Sequence, residues 1–526
     1  MPATEGGCME QTFRHGGDAA RVELSEGVVR GFELDGISIF KGIPYGKAKR
    51  FHQPEKADPW SGEYDATSYG YVCPLLRVDR PRGELLVPHR MWPMDEDCLN
   101  LNIWTPGLDD RKRPVLFWIH GGGYFGGSSI EQVAYDGQAM AKYGDVVVVS
   151  VNHRLNVMGY LDVSSFGPEY KNSANAGNAD LVLALMWVRD HIEAFGGDPG
   201  NVTLFGQSGG GMKITNLLQT PAADGLYHKV LNMSGIFPRE VSGDSKGSQR
   251  ELVLAMMKRL KIRKIRDLET VPYASLAAAY NALSPLAARM GHGIGGTPEK
   301  NDWYLGDPME NGFRKETIGI PMIVTSVFAE FSGFMPFDNA LRTAPEKEQK
   351  EAVEKAIGKE NAEKLLPLFQ EAYPGRPLAD VLTLDYTVRQ PLLSYAAERA
   401  AQGGKVWTAL FNLDQPVDGG KAPWHCADIP YVFHNTHLVP STQMPGVTEK
   451  VEGQIFGALM NFARHGDPNG GDLPRWDPAE STKDNTMVFG KKPEVRDSFD
   501  RELLPMARTA VAPYAARLAE GMQIQH

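Results

Sequence analysis

Ser208 sits in Gly206-Gln207-Ser208-Gly209-Gly210, a G-x-S-x-G run that places a hydroxyl between glycines. Residues 201–205 carry a strand pattern and 210–218 a helix pattern. Strand, sharp turn and helix is the setting in which such a serine is held exposed in a strained turn and used as a nucleophile. A serine hydroxyl is a weak nucleophile until a base takes its proton, and with this turn the acid and the base follow in the order Ser, Asp or Glu, His. Glu330 follows a strand pattern at 321–326, and His425 lies in a loop after one at 406–413. Both would stand beyond carboxyl ends of strands, where sites form in open α/β sheets. By order alone His434, His437 and His465 compete with His425 as the base. Upstream, Trp118-Ile119-His120-Gly121-Gly122-Gly123 is a strand running into glycines. The backbone N–H groups of Gly122 and Gly123, with that of Gly209, are candidates to hold a developing oxyanion, because no side chain blocks the approach. The chemistry this constellation could perform is acyl transfer through a covalent serine intermediate.

Gly121-x-Gly123-x-x-Gly126 also spells a dinucleotide-binding fingerprint. That reading fails, because the fingerprint needs an acidic residue at the end of its second strand, whereas Asp145 precedes the strand pattern at 146–151. No Walker A run and no H-E-x-x-H are present. Cys8, Cys73, Cys98 and Cys426 form no C-x-x-C pair, so neither a zinc site nor a dithiol redox site is expected, and no metal or cofactor is required.

The elements that must carry these residues alternate. Strand patterns at 100–104, 115–119, 146–151, 201–205, 229–233, 321–326 and 406–413 are interleaved with helix patterns at 178–193, 210–218 and 451–465. That succession predicts a mostly parallel sheet flanked by helices. Strand patterns at 21–24, 27–33 and 37–41 predict a small N-terminal sheet after a flexible tail at 1–20. Helical insertions are expected at about 238–319 and 338–385, including a mixed-charge face at 346–351 that reads as solvated. The run of 146–151 is β-branched, as in a strand buried on both faces.

The chain has 526 residues, of which 42% are hydrophobic and 23% charged, with a net charge of −10. An acidic balance offers no cationic field to nucleic acid. No apolar stretch reaches the length of a membrane span, and the first thirty residues carry no apolar signal core, so a cytoplasmic protein is expected, with a mature secreted form as the alternative. Composition leaves monomer or dimer open.

The motifs and their surroundings resemble the type-B carboxylesterase family of the α/β-hydrolase fold, which includes bacterial para-nitrobenzyl esterases. Phe40-Lys-Gly-Ile-Pro-Tyr45, the run from Glu96 to Trp104, His120 to Gly123, Asn152 to Leu155, Phe195 to Pro199, Gly206 to Gly210, Ser234-Gly235 and His425 to Phe433 occur in family order from about residue 21 to the C-terminal end. The resemblance implies one catalytic unit over 21–526 acting on a small-molecule ester, with Ser208 as nucleophile, Glu330 as acid and His425 as base. It implies ion pairs Arg154 with Asp180 and Arg50 with Glu96, a possible Cys73–Cys98 disulfide, and Ser234 beside the acid. It also implies pocket walls from the insertions and from the loop at Tyr124 and Phe125. Two positions depart from the family pattern. Gln207 stands where glutamate is common, which favours neutral esters over cationic ones, and Cys426 stands where a small residue is common.

Overall fold

The computed structural model describes residues 11–77, 87–238, 247–332 and 337–523. Its centre is a twelve-stranded sheet. Seven of the strands are parallel and lie side by side in the order Val147–Val151, Arg113–Ile119, Gly197–Gln207, Lys229–Met233, Met322–Val327, Val406–Phe411, Thr486–Phe489. Antiparallel strands extend both edges: Asn100–Thr105, Ile37–Pro44, Phe32–Leu34 and Phe13–Arg14 on one side, Glu494–Arg496 on the other.

Both faces of the central strands are buried, and alternation explains how. Val115, Phe117 and Ile119 point to one face, where they share a core with Leu181, Leu185 and Val188 of the helix Ala176–His191. Leu116 and Trp118 point to the other, against Ile455, Leu459 and Phe462 of the helix Thr448–His465. Successive side chains of a strand face opposite ways, so a strand covered twice must be apolar at every position. Val147–Val151 has all five residues buried, and its one polar member, Ser150, accepts from Asn102 Nδ2 at 3.0 Å.

The order of the central strands positions the site. After Arg113–Ile119 the chain steps outward to Val147–Val151, then returns to the other flank with Gly197–Gln207. This reversal opens a crevice beyond the carboxyl ends of Arg113–Ile119 and Gly197–Gln207, the place where α/β sheets bind ligands. Two loops leave into it, one beginning at His120 and the other at Ser208.

The N-terminal expectations need two corrections. Order begins before residue 21: Phe13 and Arg14 pair with Leu34 and Glu33, and Ala19 and Ala20 are buried. The small sheet holds Arg21–Leu24, Gly27–Arg30 and Glu63–Asp65, whereas Phe32–Leu34 and Ile37–Pro44 join the main sheet. Ile37–Pro44 is captured there by Asn100–Thr105, a partner far along the chain that local pattern does not reveal.

The inserted helices carry cores of their own. Arg250–Leu260 and Tyr273–Arg289 pack with Phe51, Val157 and Leu161. Glu346–Ile357 and Lys359–Ala372 pack with the C-terminal helix Leu503–Gln523 and with Phe328. An ionic ring ties the second block down: Arg376 and Arg342 each bond both Asp380 and Asp414, and the Arg376 guanidinium lies 3.8 Å over the Phe328 ring. No helix among the described residues is long and apolar enough to cross a membrane.

Candidate active site

Ser208 ends the strand Gly197–Gln207 and precedes the helix Gly209–Leu218 with φ 56° and ψ −122°, a backbone state rare for a residue with a side chain. Its N–H donates to Met233 O at 2.7 Å and its carbonyl accepts from Met212 N at 3.0 Å, so neighbouring main chain holds the turn. The Ser208 side chain makes no capping bond to the helix, which leaves its Oγ available.

The turn is possible because glycine surrounds it. A Cβ on Gly210 would lie 2.0 Å from Ile119 O, and one on Gly209 would lie 2.3 Å from Gly123 N. The second distance brings the two loops together: the Gly209 and Gly123 main chains are in contact across the crevice. Gly122 and Gly123 adopt φ of 88° and 60°, values that glycine takes without penalty and that turn this loop back on itself, with Gly126 N donating to Gly122 O at 2.9 Å. Beneath the loop, Lys213 Nζ donates to His120 O at 3.4 Å. Burial, reinforced by Lys213, holds His120 and His153 well below the ordinary imidazole range, while burial brings Lys213 down to about 7.

Glu330 follows the strand Met322–Val327 and is fully buried. Its Oε1 accepts from Val327 N at 2.9 Å and its Oε2 lies 2.5 Å from His425 Nδ1. Main chain fixes the same pair, since His425 N donates to Glu330 O at 2.8 Å. His425 Nε2 faces the turn, 3.2 Å from Gln207 Nε2, and Phe331 stacks on the imidazole with ring centres 5.5 Å apart. Among the histidines that order left open, His434 lies elsewhere, with Nδ1 3.4 Å from Glu452 and its ring on Phe456.

Two carboxyl groups behind this pair were not anticipated. Asp385 accepts from the N–H groups of Thr387, Val388 and Arg389, and Asp428 Oδ1 has no partner. Burial, with the charge of Glu330 added, pushes both up to about 7. Asp428 stands three residues after His425, a spacing that could have suggested it; Asp385 carries no comparable local signal.

The remaining expectations divide. Arg154 meets Asp180 through Nε at 2.9 Å and Nη2 at 2.6 Å, fully buried, and Arg50 grips both oxygens of Glu96. Cys73 and Cys98 are buried free thiols in contact, and the bond to Cys73 together with burial raises the Cys98 thiol well above its ordinary range. Ser234 Oγ has no partner, so its expected place beside the acid is not reached through a hydrogen bond. Tyr124 packs with Tyr160, Met212 and Phe237, while Phe125 is 42% exposed beside Gly123. Cys8 lies outside the described residues. Among those described, no group of three or more His, Cys, Asp or Glu side chains is placed to hold a metal ion.

The chain is similar to known esterases. An esterase from anaerobic Clostridium hathewayi that can hydrolyse aliphatic aromatic polyesters superposes with a TM-score of 0.91 at 49% identity, over 95% of this chain and 100% of that one. A Geobacillus stearothermophilus carboxylesterase superposes with a TM-score of 0.71 at 33% identity, over 93% and 99%. The para-nitrobenzyl esterase of Bacillus subtilis is 31% identical over 85% of this chain and 90% of its own. The profile of the carboxylesterase family matches residues 18–505, and the chain therefore belongs to the carboxylesterase family, as an ester hydrolase with the α/β-hydrolase fold.

Proposed function

We propose that Ser208, His425 and Glu330 are the catalytic triad and that the amides of Gly122, Gly123 and Gly209 form the oxyanion hole. The observation that carries this reading is the Glu330–His425 contact of 2.5 Å, with the opposite imidazole nitrogen 3.2 Å from Gln207, the residue just before the strained Ser208. His425 takes the Ser208 proton as Oγ attacks the ester carbonyl. Glu330 holds the imidazole tautomer and stabilises the imidazolium, and the glycine amides stabilise the tetrahedral oxyanion. The alcohol leaves with the proton from His425, and water activated by the same histidine cleaves the acyl-enzyme.

The substrates in this reading are neutral esters of small molecules, since Gln207 puts an amide rather than a carboxylate beside the nucleophile. Esters within a polymer are a second class, supported by the relative that hydrolyses polyesters and by Phe125, exposed beside Gly123. The whole described chain is read as one catalytic unit, with the helices at 250–289 and 346–372 as pocket walls. A reducing, cytoplasmic setting is part of the reading, supported by the paired free thiols Cys73 and Cys98.

A series of p-nitrophenyl esters of increasing acyl length, set against a soluble aromatic oligoester and a matched anilide, tests the substrate class. Short and medium esters should turn over with a burst of p-nitrophenol equal to the enzyme concentration, and the anilide should be much slower. An anilide cleaved as fast as the esters would overturn the assignment.

Gly209→Ala tests the oxyanion hole. The new methyl would collide with Gly123 N, displacing two of the three amides together. Loss of one such donor costs about 10² to 10³ in kcat, and at least that loss is expected, with KM for a short ester changed little. Activity within a few-fold of wild type would remove Gly209 from the hole.

A further inference from the structure

The two positions that depart from the family pattern touch each other. Cys426 Sγ donates to Gln207 Oε1 at 3.2 Å, and the other end of the same amide, Gln207 Nε2, is 3.2 Å from His425 Nε2. We propose that Gln207 and Cys426 are a coupled pair of positioning residues: the thiol fixes the amide so that its N–H, and not its carbonyl, faces the catalytic imidazole. The inference rests on the triad reading: the Gln207 N–H holds the Nε2 lone pair in the resting enzyme and gives way when the Ser208 O–H takes that position.

The polarity of the contacts leaves one consistent assignment. Nδ1 of His425 lies against the Glu330 carboxylate, which can only accept, so Nδ1 carries the proton and Nε2 of the neutral ring presents a lone pair. A group facing that lone pair must donate. The Gln207 amide can do so only with its oxygen turned away, and there the oxygen meets the Cys426 thiol. Turned over, the amide would set oxygen against the lone pair, and its N–H would meet only the thiol sulfur, a weak acceptor. The contact to the imidazole would be lost and the contact to Cys426 weakened. Gln207 and Cys426 are both buried, so water does not replace either contact freely.

Cys426 also occupies a backbone state that does not suit a side chain. Its φ is 75°, in the left-handed region where glycine is at ease. Strain of this kind persists where surrounding contacts hold it, and the contact here runs to the base of the reaction.

The consequence for catalysis follows from the change in the ring. Once His425 has accepted the serine proton, its Nε2–H faces the Gln207 N–H, two donors with nothing between them. The imidazolium is turned away from Gln207 toward the departing alcohol, which needs that proton. A carboxylate at 207 would instead hold the imidazolium. Among the described residues, titratable groups near the ring are Glu330 at Nδ1, Asp428 on the turn after it, Asp385 behind Glu330, and Cys426 itself.

The test uses Q207E, C426G, C426S and the double variant Q207E/C426G of the full chain, assayed on p-nitrophenyl acetate, with thermal melting as a check of folding. In Q207E the acidic limb of the kcat/KM profile should move up by about one pH unit or more, as an opposite charge near an imidazole does, with kcat lowered and KM within about twofold. C426G should melt no lower than wild type, because glycine suits the φ, and should lose kcat by about 3- to 10-fold, the worth of one hydrogen bond. C426S keeps a donor to Oε1 and should recover most of that loss. The double variant should be less impaired than the product of the single losses. An unmoved acidic limb in Q207E, a C426S as slow as C426G, or losses that multiply would each overturn the coupling. Fluorophosphonate labelling of every variant, with Ser208→Ala as the control, keeps this separate from the triad itself: a wrong nucleophile shows as labelling that persists in Ser208→Ala, whatever the 207 and 426 variants do.

Discussion

Ser208→Ala should lower kcat by about 10⁶-fold and abolish stoichiometric labelling by a fluorophosphonate, while the protein melts where the wild type does. The size of the loss follows from what the hydroxyl does: without it no acyl-enzyme forms, and what remains is attack by water with help from the oxyanion amides alone, a residue of about 10³ to 10⁴ over the uncatalysed reaction. The intact fold follows from the turn. Ser208 is held by its own N–H and carbonyl, to Met233 and from Met212, and its side chain caps nothing, so alanine inherits every structural bond that serine makes. Labelling of the variant at wild-type stoichiometry would show that the nucleophile lies elsewhere.

The second large effect belongs to Glu330→Gln, for which kcat should fall by about 10⁴. Glutamine is the same size, and its side-chain oxygen can still accept from Val327 N, so the buried position stays filled. At His425, however, the amide nitrogen can face Nδ1 and donate to it. The imidazole then carries its proton on Nε2, pointing at the serine with no lone pair to receive a proton. The variant should keep its reactivity profile across esters while losing rate on all of them, since no part of the pocket changes. Measured kcat within tenfold of wild type would identify another acid, and Asp428 and Asp385 are the buried carboxyl groups near enough to be examined next.

The site was more legible in the sequence than the scaffold. The proposed nucleophile, glycine loop, acid and base each sit at a strand end, and strand ends are marked by local pattern and chain order. Order alone did not choose among His425, His434, His437 and His465; that choice came from the resemblance, and in the structure His425 is the one against Glu330. Less visible were elements that exist only through distant pairing. Thr486–Phe489 has four residues between polar runs, too few to show a period, and becomes a strand because Val406–Phe411 offers it an edge. Ile37–Pro44 showed its strand character but not its sheet, for the same reason. The contacts that tune the base were invisible in a stronger sense. Gln207 and Cys426 are 219 positions apart, and each read singly is only an unusual letter.

The glycine crossing between the His120 and Ser208 loops has a consequence for how such a protein can change. Ile119, Gly123, Gly209 and Gly210 meet main chain to main chain, with no room for a single added carbon. Random variation at that crossing has almost nowhere to go, whereas the inserted helices rest on separate cores and can be exchanged, lengthened or repacked at no cost to it. Directed evolution of this enzyme toward new esters should therefore draw its gains from residues 250–289 and 346–372, and libraries that spare the crossing should keep a far larger active fraction than libraries that include it.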